Sequence, residues 1–323
     1  RQYSMCSVHT VLSFWHCTFR DFHPTINLAE RKIDFYYGGQ KMENLTLHNG
    51  VQMPLEGFGV FQVPDTDVCR QAVLDAIRTG YRLIDTAALY MNEEGVGLAV
   101  KKSGIPREEL FITTKLWVQD TSYEGAKKAA AASMERLGLD YLDLYLIHQP
   151  FGDYYGAWRA MEEMYREGII RAIGVCNFDE ARLVDLCVNH EIQPAVNQVE
   201  IHPFYQQKSA IQTMSRYKVQ PEAWGPLSEG QRNIFRHRLL SKIAARYQKS
   251  TAQIILRWHI QRGVVVIPKS VRKERMEENL DIWDFSLDGK DMDAIAALDI
   301  GHSEIINHYS ACTAKALNAT KIY

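Results

Sequence analysis

From Leu55 onward, short apolar runs bounded by glycine or polar residues alternate with longer stretches whose apolar positions recur at helical spacing. The short runs predict strands at Gly57–Phe61, Leu83–Asp85, Phe111–Lys115, Leu142–Ile147, Ala172–Val175, Ala195–Glu200, Gln220–Ala223 and Val264–Ile267. Helices are predicted between them at Val68–Thr79, Glu94–Lys102, Tyr123–Leu137, Tyr155–Glu167, Glu180–Asn189 and Lys208–Tyr217, with a long one at Leu239–Gln261 broken near Ser250. Met276–Leu280 and Asp288–Leu298 continue the helical pattern beyond the last strand. Strands that are apolar almost throughout, each followed by a helix, mark a parallel sheet covered on both faces. Such units repeated through residues 42–323 fit a closed (β/α)8 barrel, an α/β fold of roughly 250 residues plus extras. An open doubly wound sheet would place G-x-G-x-x-G after an early strand. Gly57-Phe58-Gly59 lacks the third glycine, and Gly95-Val96-Gly97 falls inside a helix, so the barrel is the expected fold.

Ahead of the first barrel strand, Leu45–Leu47 and Val51–Met53 flank Asn49-Gly50, the turn pair that favours a β-hairpin. Such a hairpin is expected to plug the bottom of the barrel. Val11–Phe19 is apolar but interrupted by His16, with no basic segment before it and no small-residue cleavage site after it, unlike a signal peptide. Residues 1–41 are expected to be an extension outside the fold, and 42–323 a single barrel domain.

Composition narrows the partners. The 323 residues are 46% hydrophobic and 24% charged, ample for one large core, and the net charge of −2 gives no electrostatic reason to expect nucleic acid or an anionic membrane. No apolar run approaches the ~20 residues of a membrane span. Cys6, Cys17, Cys69, Cys176, Cys187 and Cys312 show neither CxxC pairing nor metal-ligand spacing. That usage points to free thiols in a reducing, cytoplasmic setting.

The chemistry stands where the strands end. Leu83–Asp85 closes on a carboxylate with Tyr90 just beyond, FITTK ends in Lys115, and LDLYLIH ends in His148. The C-terminal tips of barrel strands are where such folds keep their sites. A free phenol titrates near ~10, and a neighbouring ammonium lowers that value. Tyr90 is therefore expected to donate a proton, with Lys115 lowering its pKa, Asp85 holding Lys115, and His148 directing a hydrogen bond at the oxygen that receives the proton. Each residue has a plainer explanation alone: a helix cap for Asp85, packing for Tyr90, a solvated end for Lys115, a satisfied buried imidazole for His148. Three adjacent tips carrying them jointly weigh against that. A carbonyl becoming an alcohol needs such a group, and the hydride must come from a nicotinamide or flavin, since no side chain supplies one. Asn177 and Gln198 offer amides suited to a nicotinamide carboxamide, and Trp224 offers a flat face for stacking. After the last strand Lys269, Ser270 and Arg275 form a cationic cup at a helix start, which suits a 2′-phosphate and favours NADPH over NADH. A metal-dependent hydrolase built on His148, His202, Asp85 and Glu200 is disfavoured because no HxH pair closes a strand.

With GFGVFQV (57–63), GYRLIDTAALYMNEEGVG (80–97), TKLW (114–117), LIHQP (146–150), IGVCNF (173–178), NQVEIHP (197–203), AWGPLS (223–228) and IPKSVRKERMEENL (267–280), the chain resembles the aldo-keto reductases from about Leu45 to Asp284. It is most similar to their short-loop members, which include 2,5-diketogluconate reductases and prostaglandin F synthases. The resemblance implies a catalytic tetrad of Asp85, Tyr90, Lys115 and His148. It implies NADPH held by Gly59, Val60, Phe61, Asp85, Cys176, Asn177, Gln198, Trp224, Leu227, Ser228, Lys269, Ser270, Val271, Arg275, Glu278 and Asn279. By the same resemblance Phe61, Trp117, His148 and Phe151 line the substrate mouth of a pocket for a small carbonyl compound; the protein is expected to be a monomer. Cys176 stands where the family usually has serine, which implies a weaker carboxamide contact there. The tail, Gly301–Tyr323, and the loop near Trp117 are expected to shape substrate choice.

Overall fold

The computed structural model describes residues 35–37 and 40–323, with side chains described from residue 43 onward. The expectation for residues 1–41 therefore lies almost wholly outside the described residues. Phe35–Tyr37 (β1) and Gln40–Met42 (β2) pair with each other as an antiparallel ribbon.

Asn44–Thr46 (β3) and Gln52–Pro54 (β4) form the hairpin around Asn49-Gly50, with Gly50 in the left-handed region that the turn requires. Leu45, Leu47, Met53 and Leu55 turn into the main core. The hairpin tip reaches across the strand starts: Asn49 Nδ2 donates to the Arg171 carbonyl at 3.0 Å, and the His48 ring lies 3.3 Å from the Pro194 carbonyl. Those carbonyls precede the fifth and sixth barrel strands, so the hairpin covers the N-terminal end of the barrel as the apolar pattern predicts.

Eight parallel strands follow in sequential order: Gly57–Gly59 (β5), Leu83–Asp85 (β6), Phe111–Leu116 (β7), Leu144–Ile147 (β8), Ile173–Cys176 (β9), Val196–Glu200 (β10), Gln220–Trp224 (β11) and Val265–Val266 (β12). The ring is closed by a parallel bridge between Glu56 and Val266 and by bonds from Val266 N to the Leu55 carbonyl (3.1 Å) and from Gly59 N to the Pro268 carbonyl (3.2 Å). Every residue of β6, β7, β8 and β10 is buried, as strands covered on both faces must be.

Helices α1 (Thr66–Thr79), α2 (Glu93–Ser103), α3 (Tyr123–Leu137), α4 (Tyr154–Arg166), α5 (Glu180–Asn189) and α6 (Lys208–Arg216) run between the strands. Asp65, Ser122, Asp153 and Asp179 cap four of them by accepting backbone N–H bonds. α2 packs against the C-terminus of α3 so closely that a Cβ at Gly97 would come within 2.1 Å of the Leu137 carbonyl oxygen. The long helical stretch divides at Ser250 as expected, into α7 (Arg238–Tyr247) and α8 (Thr251–Gln261), because Ser250 and Gln253 form a reciprocal capping box. α9 (Lys273–Leu280) and α10 (Gly289–Ala296) come next, and a final helix, α11 (Ala311–Ala319), forms within the tail.

Candidate active site

At the C-terminal tips of β6, β7 and β8 the predicted residues meet. Lys115 is fully buried, and its ammonium spends three donors: Asp85 Oδ1 at 2.6 Å, the Thr86 carbonyl at 2.9 Å and the Tyr90 hydroxyl at 3.3 Å. β6 and β7 are neighbours, with Asp85 opposite Thr113, and that pairing sets the carboxylate beside the lysine. Tyr90 ends a short 3-10 turn, Ala88–Tyr90, which doubles back from the β6 tip. The His148 ring packs edge-on against Tyr90 (centroids 5.7 Å apart) and against Trp117 (5.3 Å).

The electrostatics correct one expectation. Burial pushes the Tyr90 phenol up, Lys115 pulls it down and Asp85 pushes it up again, and the balance lies above an ordinary tyrosine instead of below it. Burial also works against the charge on Lys115, but Asp85, Tyr90 and Cys176 outweigh it and hold the ammonium above the usual lysine value. His148 is held well below an ordinary histidine by burial, with Lys115 and His308 adding to the effect. The site therefore presents a protonated phenol, a charged ammonium and a neutral imidazole whose buried Nδ1 has no protein partner.

The amides expected to face a nicotinamide are firmly held. Asn177 adopts a left-handed backbone (φ 60°), which asparagine tolerates. Its Nδ2 donates to the His148 carbonyl at 3.0 Å and its Oδ1 accepts from Trp224 Nε1 at 2.8 Å. Gln198 Nε2 donates to Asp85 Oδ2 (2.9 Å) and to Glu222 Oε2 (3.0 Å), while the buried Cys176 thiol lies 3.8 Å from Gln198 Oε1. Gly59 and Val60 lie along the β5 tip, where Val60 N donates to the Asp85 carbonyl at 3.1 Å. Leu227 and Ser228 open an irregular segment, Ser228–Arg236, in which Ser228, Glu229, Arg232 and Asn233 all have positive φ.

At the β12 tip Lys269 and Arg275 are exposed, and among the described residues neither pairs with a carboxylate. Ser270 is buried and its Oγ accepts from Arg272 N at 3.0 Å. α9 begins directly afterwards with no side-chain cap at Arg272, leaving its first N–H groups for an anion. Val271 is exposed, Glu278 half-buried and Asn279 buried. Two free cations beside an uncapped helix start fit a phosphate.

Phe61 is 47% exposed and leans over Tyr90 with ring centroids 5.0 Å apart. Trp117 is buried because the tail lies against it: its Nε1 donates to the Thr320 carbonyl at 2.9 Å, and Ile322 N donates to Gln119 Oε1 at 3.1 Å. Phe151 is half-buried just beyond His148. A cavity of about 270 Å³ lies at the opposite end of the barrel, between the hairpin residues His48 and Asn49 and Tyr165, Glu191 and Ala195, away from this chemistry. The hydrolase grouping does not assemble. His202 Nε2 pairs with Glu200 Oε1 at 3.0 Å, Asp85 is taken by Lys115, and among the described residues no three His, Cys, Asp or Glu side chains converge as metal ligands.

The sequence reading misses the supports beneath the site. Asn92 is buried; its Nδ2 donates to the Val60 and Val63 carbonyls at 2.9 and 3.0 Å and its Oδ1 accepts from Thr86 Oγ1 at 2.7 Å, so it holds the β5 loop to the β6 tip. Glu200, weighed in the sequence only as a hydrolase ligand, accepts from Ser303 Oγ at 2.6 Å and so anchors the tail. Glu222 is fully buried inside a strand. A polar residue placed within an apolar strand is the signal that could have found Glu222.

The model of the Aldo/keto reductase family matches residues 57–300. Glyoxal reductase of Bacillus subtilis is 51% identical over 258 residues, covering 80% of this chain and 93% of the relative. Methylglyoxal reductase DkgA of Escherichia coli is 44% identical over 260 residues, covering 80% and 94%. The crystal structure of an aldo-keto reductase of Bombyx mori in complex with NADP superimposes with a TM-score of 0.77 at 35% identity, covering 80% of this chain and 93% of that one.

Proposed function

Because the chain belongs to the aldo/keto reductase family, we propose that it reduces small α-oxo aldehydes to alcohols with NADPH, using Tyr90 as the proton donor. The observation that carries this reading is the buried ammonium of Lys115, 2.6 Å from Asp85 and 3.3 Å from the Tyr90 hydroxyl, beside a neutral imidazole. When bound, the nicotinamide supplies the hydride. Lys269, Ser270 and Arg275 would hold the 2′-phosphate, Leu227 and Ser228 the pyrophosphate, and Asn177, Gln198 and Trp224 the nicotinamide end. Val271, Glu278 and Asn279 would surround the adenosine.

His148 donates a hydrogen bond to the substrate carbonyl and orients it towards Tyr90. The phenol keeps its proton until negative charge develops on that oxygen, then gives it up. Lys115 steadies the phenolate left behind, and Asp85 keeps Lys115 charged and in place. Phe61, Trp117 and Phe151 enclose a small carbonyl compound and exclude water. The barrel domain works as a monomer in the cytoplasm; the described cysteines Cys69, Cys176, Cys187 and Cys312 are all free thiols, which supports a reducing compartment. A dimeric mass by light scattering would overturn the monomer.

Tyr90→Phe tests the mechanism. NADPH affinity should stay within about twofold while methylglyoxal turnover falls by roughly 10²–10⁴, the usual contribution of a positioned acid. Turnover at the wild-type rate would refute the assignment.

A further inference from the structure

Glu222 sits on β11 directly opposite Gln198 of β10 and is completely buried. The Gln198 Nε2 group divides its two hydrogens between Glu222 Oε2 at 3.0 Å and Asp85 Oδ2 at 2.9 Å, while Asp85 Oδ1 takes Lys115. The remaining Glu222 oxygen has no partner. Asp85, Lys115, Gln198 and Glu222 are each at most 2% exposed, so this chain of groups is sealed from water.

We propose that Glu222 is a positioning residue: in its neutral form it fixes the Gln198 amide, which in turn holds the second oxygen of Asp85 and so aims the Asp85–Lys115 pair at Tyr90. The proposal rests on the reductase reading above. Its basis is a count of charges. The groups facing this interior are Asp85 from β6, Lys115 from β7 and the Cys176 thiol from β9, while β12 contributes only Val265 and Val266. One ammonium thus serves two carboxyls. A second carboxylate would be an unpaired charge in a dry interior, so Glu222 keeps its proton.

Burial first, and then the nearby Asp85, push the Glu222 carboxyl up to about 8. Below that value the clamp is neutral. Above it, Glu222 acquires a charge that draws Gln198 away from Asp85 and makes the Tyr90 phenol harder to ionise, so turnover should fall. Glu222→Gln keeps an oxygen for Gln198 but cannot titrate, and Glu222→Leu removes the acceptor.

The test compares kcat/KM for methylglyoxal from about pH 6 to about pH 10, together with Tm of the cofactor-free proteins over the same range. In the wild type kcat/KM should fall by at least about tenfold as pH rises through about 8, and in Glu222→Gln that fall should begin at least about one unit higher. Near pH 7, Glu222→Gln should keep kcat within about twofold and Glu222→Leu should lose about tenfold, mainly in kcat and not in cofactor affinity. The cofactor-free wild type should lose Tm relative to Glu222→Gln between about pH 6 and about pH 8, because the unfolded glutamate ionises first, and the difference should level off above about 8, where both states are ionised. If Glu222→Leu fails to fold, the two curves of Glu222→Gln decide alone. An alkaline limb of Glu222→Gln that superimposes on wild type, or a Tm difference independent of pH, would overturn the proposal. Wild-type protein without turnover would overturn the reductase reading itself, which the Tm comparison detects separately because it needs no cofactor.

Discussion

Lys115→Met is the perturbation that most directly separates catalysis from stability here. The ammonium lies 3.3 Å from the Tyr90 hydroxyl. At an effective dielectric of about 20, a unit charge at that distance steadies a phenolate by about 5 kcal/mol. With each ~1.4 kcal/mol worth tenfold, removing it should lower kcat by between about 10³ and 10⁴. The substitution also strands Asp85, which is 1% exposed and would keep only the bond from Gln198 Nε2 at 2.9 Å. Breaking one side of a buried pair costs about 3–5 kcal/mol, so Tm should fall as well. Adding Asp85→Asn removes the stranded charge. The double variant should therefore recover most of the lost Tm and none of the lost rate. The assay is NADPH oxidation with methylglyoxal, alongside thermal unfolding of the three proteins. A single variant that retains more than about a tenth of kcat, or a double variant that regains rate together with Tm, would overturn the role of the Lys115 ammonium.

Three further outcomes are expected. Lys269→Ala with Arg275→Ala should weaken NADPH on the order of 100-fold, counting about 1.5 kcal/mol for each charged hydrogen bond, and leave NADH within about twofold in a tryptophan-quenching titration. Equal losses for both cofactors would count against the phosphate cup. Ending the chain after Ala319 removes the Trp117–Thr320 and Gln119–Ile322 bonds, and should raise KM for methylglyoxal roughly fivefold with cofactor affinity unchanged; an unaltered KM would free the tail from any part in the substrate mouth. Glu56 is fully buried and held well above its ordinary value of 4.5 by burial, against a weaker opposing bond from Tyr81. Its proton stays on in the fold and leaves the unfolded chain first, so it costs stability increasingly as pH rises above 4.5. The Tm of Glu56→Gln minus that of wild type should grow from about pH 5 to about pH 8, and a constant difference would disprove the shift.

The tips of β6, β7 and β8 are legible in the sequence because parallel strands buried on both faces read as apolar runs, and Asp85, Lys115 and His148 each interrupt or end one. The hairpin and the break at Ser250 are legible for local reasons, an Asn-Gly turn and a capping box. α11 is not, since none of its residues is buried and no apolar stripe marks it; the bonds from Trp117 and Gln119 hold the residues just beyond it instead. Glu222 and Asn92 escape for the opposite reason. Their partners lie on other strands and loops, and neither Asn92, which runs on into Glu93 and Glu94, nor Glu222 shows through its own neighbours which groups it faces. Tyr90 shows the limit most sharply. Sequence supplies the sign of the Lys115 effect, but the acidity of the phenol is a sum in which burial enters with the opposite sign and outweighs it. The consequence is chemical. A phenol lowered towards neutrality would lose part of its proton before the carbonyl arrives, whereas one held up by burial stays loaded, and the ammonium 3.3 Å away contributes most only once charge develops on that oxygen.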